Sequence, residues 1–327
     1  VRRVKVNFYL PKELMPSMER QKVWQDGGKL ILEERGKVAC AQCWVYQTWC
    51  HLRRGGVNIG LLHEMPEEGV VIALTGNIPS SFRPTARLFI AGIVADGLPN
   101  PRASLNIVQN AQHARYLPSS LFMPLWTQPG LIERSKDRFA AFERVAFFGD
   151  RGNVASELAG ETWKRQLASE TGCVFEIRGA ERWHDYSDVD AVIAVRDFRG
   201  GRQLHKPATK LYNAWLAGVP FIGGSDSAYA AEGSPGRDYL VARSPEEALS
   251  HLRELKYNPS LRASLVGQGK KKGSNYTVEA VTARWRKLVE ETIPEAAERR
   301  ARRAPWLNRG RDAAMRVVCA ADRIFRS

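Results

Sequence analysis

The sequence predicts an α/β protein with two parallel sheets. Three observations carry that expectation. The chain has 327 residues, more than one hydrophobic core usually organises. Apolar runs such as LFIAGIV at 88–94 and AVIAV at 191–195 are continuous rather than alternating, as in strands covered on both faces. Between residues 144 and 292 such runs alternate with amphipathic stretches, the order of a parallel sheet wrapped by helices.

Taken in order, VKVNFYL at 4–10 alternates and reads as a first strand, while residues 12–34 are polar and show no period. A helix is expected over 41–54, closed by Gly55 and Gly56. Strands are expected at 57–62, 70–74, 88–94, 104–108 and 121–125. The 88–94 strand stops at Ala95-Asp96-Gly97. TQPGLIERSKDR at 127–138 mixes proline, glycine and charge without a period, so the interdomain linker is placed there. Domains are accordingly expected at 1–135 and 136–298, with a basic terminal helix over 299–327.

The second half opens with a strand at 144–148 that ends in Gly149-Asp150-Arg151-Gly152-Asn153. A helix over 154–170 and strands at 173–177 and 191–195 follow, the last running into Arg196-Asp197. Then comes HKPATKLYNAWLAGVPFI at 205–222. Pro207 suits a position just inside a helix start, Leu211, Ala214, Trp215 and Leu216 form an apolar stripe, and Gly218 ends the helix before a buried strand at 219–222. Lys206 and Lys210 are expected on one face of the first turn. Two cations beside the free N–H groups of a helix start make a place for a phosphate or diphosphate. A strand at 239–242 and helices at 245–255, 259–267 and 277–292 complete the unit.

Hydrophobic content of 44% and charged content of 26% suit a soluble enzyme, and no apolar run approaches the ~18 residues of a membrane span. With no signal-peptide pattern at the start, a cytoplasmic protein is expected. Of five cysteines, Cys40, Cys43 and Cys50 cluster near His51. No second CxxC or paired histidine completes a zinc set, so they are read as core thiols and no metal is expected. The formal charge of +14 calls for an acidic partner. Much of it lies in Arg299, Arg300, Arg302 and Arg303, ahead of a stretch where Trp306, Met315, Val317, Val318, Ile324 and Phe325 are spaced as one helix face. No nucleic-acid motif accompanies the charge, so an anionic bilayer or a phosphate-bearing substrate is the preferred partner.

VAFFG at 145–149, the block KPATKLYNAWLAGVP at 206–220, and the ending DYLV at 238–241 with SPEE at 244–247 and Trp285 together resemble the C-terminal half of GT-B glycosyltransferases. In the first half, Ala95-Asp96, Val108-Gln109-Asn110 and WTQPGL at 126–131 resemble members that assemble bacterial polysaccharide and lipopolysaccharide. The resemblance implies two Rossmann-like domains facing a cleft, a nucleotide-sugar donor on the second, and a last helix crossing back to the first. Many retaining members carry two glutamates where this chain has His205 and Asn213, which favours an inverting transferase.

On this reading the donor is held by Gly149, Arg151, Asn153, Arg196, His205, Lys206, Thr209, Lys210 and Asn213, without metal. Asp96, expected to be partly desolvated, is the base for the acceptor hydroxyl, with His63, Glu64 and His113 as rivals. The acceptor is a glycan or lipid-linked saccharide at an anionic inner membrane face. Alternatives are a retaining transferase, a related epimerase or phosphorylase, and a nucleic-acid-binding protein that uses the basic tail.

Overall fold

The computed structural model describes residues 5–25, 36–138 and 140–326. The chain divides into two compact units, the first formed by residues 5–25, 36–125 and 281–326 and the second by 126–280. Among the described residues no helix is long and apolar enough to cross a membrane.

The first unit holds six strands: β1 (Val6–Tyr9), β2 (Gly60–Leu62), β3 (Gly69–Leu74), β4 (Leu88–Ile93), β5 (Leu105–Val108) and β6 (Ser120–Phe122). They form one sheet in the order β2-β1-β3-β4-β5-β6, with every neighbouring pair parallel. The continuous apolar run at 88–94 becomes β4, and all six of its residues are buried. The second unit holds β7 (Arg144–Phe148), β8 (Val174–Arg178), β9 (Ala191–Ala194), β10 (Phe221–Gly223) and β11 (Leu240–Val241). Their order is β11-β10-β9-β7-β8, again parallel throughout. In each sheet the unit's first strand lies between its second and third. Winding therefore reverses beside β1 and beside β7, and ligands of such sheets settle beyond the carboxyl ends at those points.

Helices cover the second sheet largely as the sequence expects, with three departures, one of them an unexpected helix at Ser227–Glu232. The helix expected over 154–170 is two pieces, Ser156–Ala159 and Glu161–Thr171, because Gly160 is extended between them. Gly172 then ends the second piece in the left-handed region, with φ 64°. Further on, Ser244 accepts from the Glu247 N–H and starts Pro245–Tyr257, and Asn258 does the same at Leu261 for Pro259–Gly273. The latter runs well past the expected end at 267.

Both expected domain borders shift. Residues 126–135 belong to the second unit because their backbone is stitched to it: Tyr186 N–H donates to Ile132 O, Arg134 N–H to Ala217 O and Ser135 N–H to Ser187 O. The return to the first unit comes at Val281 rather than 299. Its anchor is Trp285, fully buried, with its ring 6.1 Å from that of Phe8. In the terminal helix Pro305–Arg326, Met315 and Cys319 are buried against Val94, Val108 and Leu117. Trp306 and Val317 are 69% and 70% exposed, so only part of the expected apolar face is covered. The side chains of Ile324 and Phe325 lie outside the described residues.

Candidate functional site

The carboxyl ends of β7 and β9 meet at the winding reversal of the second sheet. Gly149 follows β7 with φ +148°, a conformation that L side chains rarely adopt. A Cβ there would lie 2.9 Å from Phe147 Cε1 and 3.4 Å from Lys210 Cε. The absence of a side chain thus lets Lys210 lie across the backbone at the end of β7. Its ammonium sits 5.2 Å from the centre of the Phe147 ring.

Lys210 stands in the first turn of the helix Thr209–Ala217, whose start has no side-chain cap. The first N–H groups of such a helix are unused within it and carry the positive end of its dipole. Thr209 Oγ1, at the first helical position, is shielded from solvent and has no hydrogen-bond partner among the described residues. At the other end Gly218 closes the helix in the left-handed region, with φ 71°. Leu211, Tyr212, Ala214 and Trp215 are buried, and Tyr212 stacks on Tyr276 at 3.8 Å. That packing holds the helix start at the sheet edge.

Arg196, at the end of β9, donates through Nε to Asp226 Oδ1 at 3.2 Å, and its NH1 lies 3.5 Å from Asn153 Oδ1. Asp185 and Asp188 are engaged elsewhere, Asp188 with Arg144 and Arg178 and Asp185 with Arg182. Asp226 is 4% exposed. Burial raises its pKa, and the nearby positive charges of Arg196 and Lys210 oppose that rise. Sequence reading missed Asp226, although Gly223-Gly224-Ser225-Asp226-Ser227 carries the signature of a strand ending at a helix start. Lys210 and Arg196 thus stand beside the helix start with Asp226 between their charges, and Asp197 adds a second carboxylate nearby.

Other predicted donor residues are placed differently. Lys206 lies in the turn before the helix, its N–H bonded to Gln203 O, because Ala208 and not Pro207 flanks the first helical residue. The two lysines therefore do not share a helix face. His205 belongs to the same half-buried turn, which includes Gln203 at φ +48°. Asn213 is 5% exposed, and its Oδ1 accepts from the Gln128 N–H at 3.0 Å. It anchors the segment entering the second unit instead of opening towards a ribose. Arg151 is exposed, with NH2 3.5 Å from Ala159 O.

In the first unit, Asp96 follows β4 after Ala95, which has φ +48°. A non-glycine residue in that region is strained by about 1–3 kcal/mol, a cost met where the fold fixes a side chain's direction. Gln109 Nε2 donates to Asp96 Oδ1. Contrary to expectation Asp96 is exposed rather than desolvated, and the Gly97 N–H closes a turn onto Val94 O at 2.9 Å. His113 is 3% exposed, whereas His63 and Glu64 are open, His63 Nδ1 lying 2.9 Å from Leu10 O.

Asp188-Val189-Asp190, which has the form of a metal-binding motif, is structural. Asp190 Oδ2 accepts from Arg138 NH2 at 2.7 Å and from the N–H groups of Glu143 and Arg144, and Oδ1 accepts from Arg134. Cys40 and Cys43 are half-buried and Cys50 is buried, and none of the three is in a disulfide among the described residues. Burial pushes the Cys50 thiol up to about 11, so it is a poor nucleophile at neutral pH.

No protein-family model and no curated protein matches the sequence. Solved structures do resemble it. Sucrose-phosphate synthase from Thermosynechococcus elongatus aligns with TM-score 0.56 at 11% identity, over 90% of this chain and 100% of its own. HepE from Anabaena, solved with UDP and glucose, aligns at 0.53 and 10% identity, over 88% and 100%. AviGT4, a glycosyltransferase of avilamycin A biosynthesis, aligns at 0.52 and 14% identity, over 91% and 98%. This chain has two parallel sheets, each reversing beside its first strand, and it returns to its first unit, and it aligns with these proteins over nearly the whole length of both: the chain has the GT-B fold.

Proposed function

We propose that this protein is a glycosyltransferase that moves a sugar from a nucleoside-diphosphate donor to a hydroxyl of a glycan or lipid-linked acceptor. The observation that carries the reading is the meeting of Gly149, Lys210 and Arg196 at the carboxyl ends of β7 and β9, beside an uncapped helix start. HepE was solved with UDP and glucose, which makes UDP the first nucleotide to test.

In this mechanism the acceptor oxygen attacks the anomeric carbon as its bond to the diphosphate oxygen breaks. The hydroxyl proton passes to the Asp96 carboxylate. The charge that develops on the leaving diphosphate is met by Lys210, by Arg196 and by the N–H groups at Thr209 and Lys210. A single displacement inverts the anomeric configuration. Leaving-group charge is met by these cations, so the reaction is proposed to be metal-independent. Assembly of bacterial surface polysaccharide, with peripheral contact to an anionic membrane face, is the setting that suits the N-terminal motifs and the basic tail.

The test is thermal stabilisation by UDP, GDP, dTDP and CMP, followed by turnover with the matching sugar nucleotide. A donor at one hundred times its Kd stabilises the protein by about 2.7 kcal/mol. Absence of saturable stabilisation by every nucleotide refutes the reading. Product NMR decides between inversion and retention, and loss of turnover in EDTA, restored by magnesium or manganese, refutes the metal-free mechanism.

A further inference from the structure

The first unit contains a second cationic site that the transfer chemistry does not use. A cavity of about 690 Å³ opens at the amino end of β4 and β5, lined by Leu88 at the start of β4, by Ser104 just ahead of β5, and by the helices Ile293–Arg302 and Pro305–Arg326 with the turn between them. Asp96 lies beyond the opposite end of β4, a strand of six residues that spans roughly 20 Å at about 3.3 Å per residue. Five arginines face the cavity, namely Arg83, Arg102, Arg300, Arg303 and Arg316, against one carboxylate, Asp312.

Their hydrogen bonds show which charges are committed. Arg300 and Asp312 form a two-bond pair, both at 3.0 Å. Arg102 donates to Phe82 O at 2.8 Å and to Ser80 O at 2.6 Å, and Arg83 donates to the same two carbonyls. Those carbonyls fix the direction of the guanidinium groups without neutralising them. Arg303 and Arg316 are exposed, and among the described residues neither has a carboxylate within ion-pair distance. Five positive charges minus one negative leave an excess of four in one cavity. Such crowding of like charge opposes the compact state unless an anion enters. Planar guanidinium forks match the oxygens of phosphate groups in pairs.

We propose that this cavity binds a phosphate-bearing group, held by Arg303 and Arg316 and flanked by the pinned guanidiniums of Arg83 and Arg102. The group is a phospholipid headgroup or a soluble phosphorylated compound, and the chemistry of recognition is the same for both. The site is separate from the donor site of the second unit, and its test does not depend on donor binding.

The experiment titrates the full-length protein with inorganic pyrophosphate and measures cosedimentation with phosphatidylcholine vesicles made with and without phosphatidylglycerol. A pyrophosphate-binding component that survives Lys210→Ala is expected to weaken about tenfold or more in Arg303→Gln/Arg316→Gln. Both arginines are exposed, so the double variant should melt like the parent. Asp312→Asn, which removes the carboxylate among the described lining residues and releases Arg300, is expected to tighten the same component. Cosedimentation that requires phosphatidylglycerol, is lost in the double variant and is displaced by pyrophosphate assigns the phosphate to lipid. Pyrophosphate binding without vesicle binding assigns it to a soluble compound. The proposal is overturned if neither probe binds, or if the double variant binds both as the parent does.

Discussion

Lys210 Cε lies 3.4 Å from the point a Cβ on Gly149 would occupy, so the lysine uses the space that the missing side chain leaves. Gly149→Ala is therefore expected to act twice. The positive φ and the 2.9 Å approach to Phe147 cost about 1–3 kcal/mol of stability, and the displaced Lys210 weakens nucleotide affinity. Thermal melting with and without UDP measures both. An alanine variant with unchanged melting and unchanged affinity would show that the close approach has no consequence.

Lys210→Ala is expected to weaken UDP binding by about tenfold to a hundredfold, the worth of a charge-assisted hydrogen bond. Lys206→Ala should have the smaller effect, because Lys206 stands in the turn ahead of the helix. Calorimetric titration ranks the two, and the reverse ranking would move the diphosphate into the loop at 203–206.

Asp96→Asn should lower transfer by roughly 10²–10⁴-fold while leaving UDP affinity intact, since an amide keeps the shape but accepts no proton. The Gln109 amide faces Asp96 and is part of its support. Turnover near that of the parent would reduce Asp96 to a turn residue beside Gly97 and pass the role of base to His113, His63 or Glu64.

Asp190 predicts an acid-dependent stability. Burial by itself raises its pKa, but hydrogen bonds from Arg138, the Glu143 and Arg144 N–H groups and Arg134 outweigh burial and hold it below the usual carboxylate range. A folded pKa depressed in this way contributes stability above the unfolded value of about 3.9 and loses it as pH falls through the folded value. Asp190→Asn is expected to cost about 3 kcal/mol at neutral pH by leaving Arg134 and Arg138 unpaired. The gap between parent and variant should shrink below about pH 4. Melting curves across that range check it, and a gap that stays constant to low pH would contradict the assignment.

The terminal helix offers a packing test. Met315 is 4% exposed beside Val94, Val108 and Leu117, so Met315→Ala should cost about 2–4 kcal/mol. The exposed Val317→Ala should cost far less. Equal melting of the two variants would mean that the helix is not seated on the first unit.

The sequence by itself determined what depends on short spans of chain. Continuous apolar runs at 88–94, 145–148 and 191–195 specify strands buried on both faces, and they form the interior of both sheets. Gly218 after an amphipathic stretch specifies a helix end, because a left-handed residue is cheapest without a Cβ. Gly149 and Arg196 were legible as strand ends, and parallel sheets bring such ends to one edge.

Only the tertiary structure decided what depends on partners distant in the chain. Asp226 meets Arg196 across thirty residues. Asn213, expected among the donor-holding residues, instead accepts from the Gln128 N–H, far upstream. The chain's return at Val281 rests on Trp285 finding Phe8. The cationic cavity joins arginines of the loops ahead of β4 and β5 to arginines of the terminal helices. Local periodicity carries the direction of a side chain along its own helix or strand, but which group it meets there is set by how those elements pack.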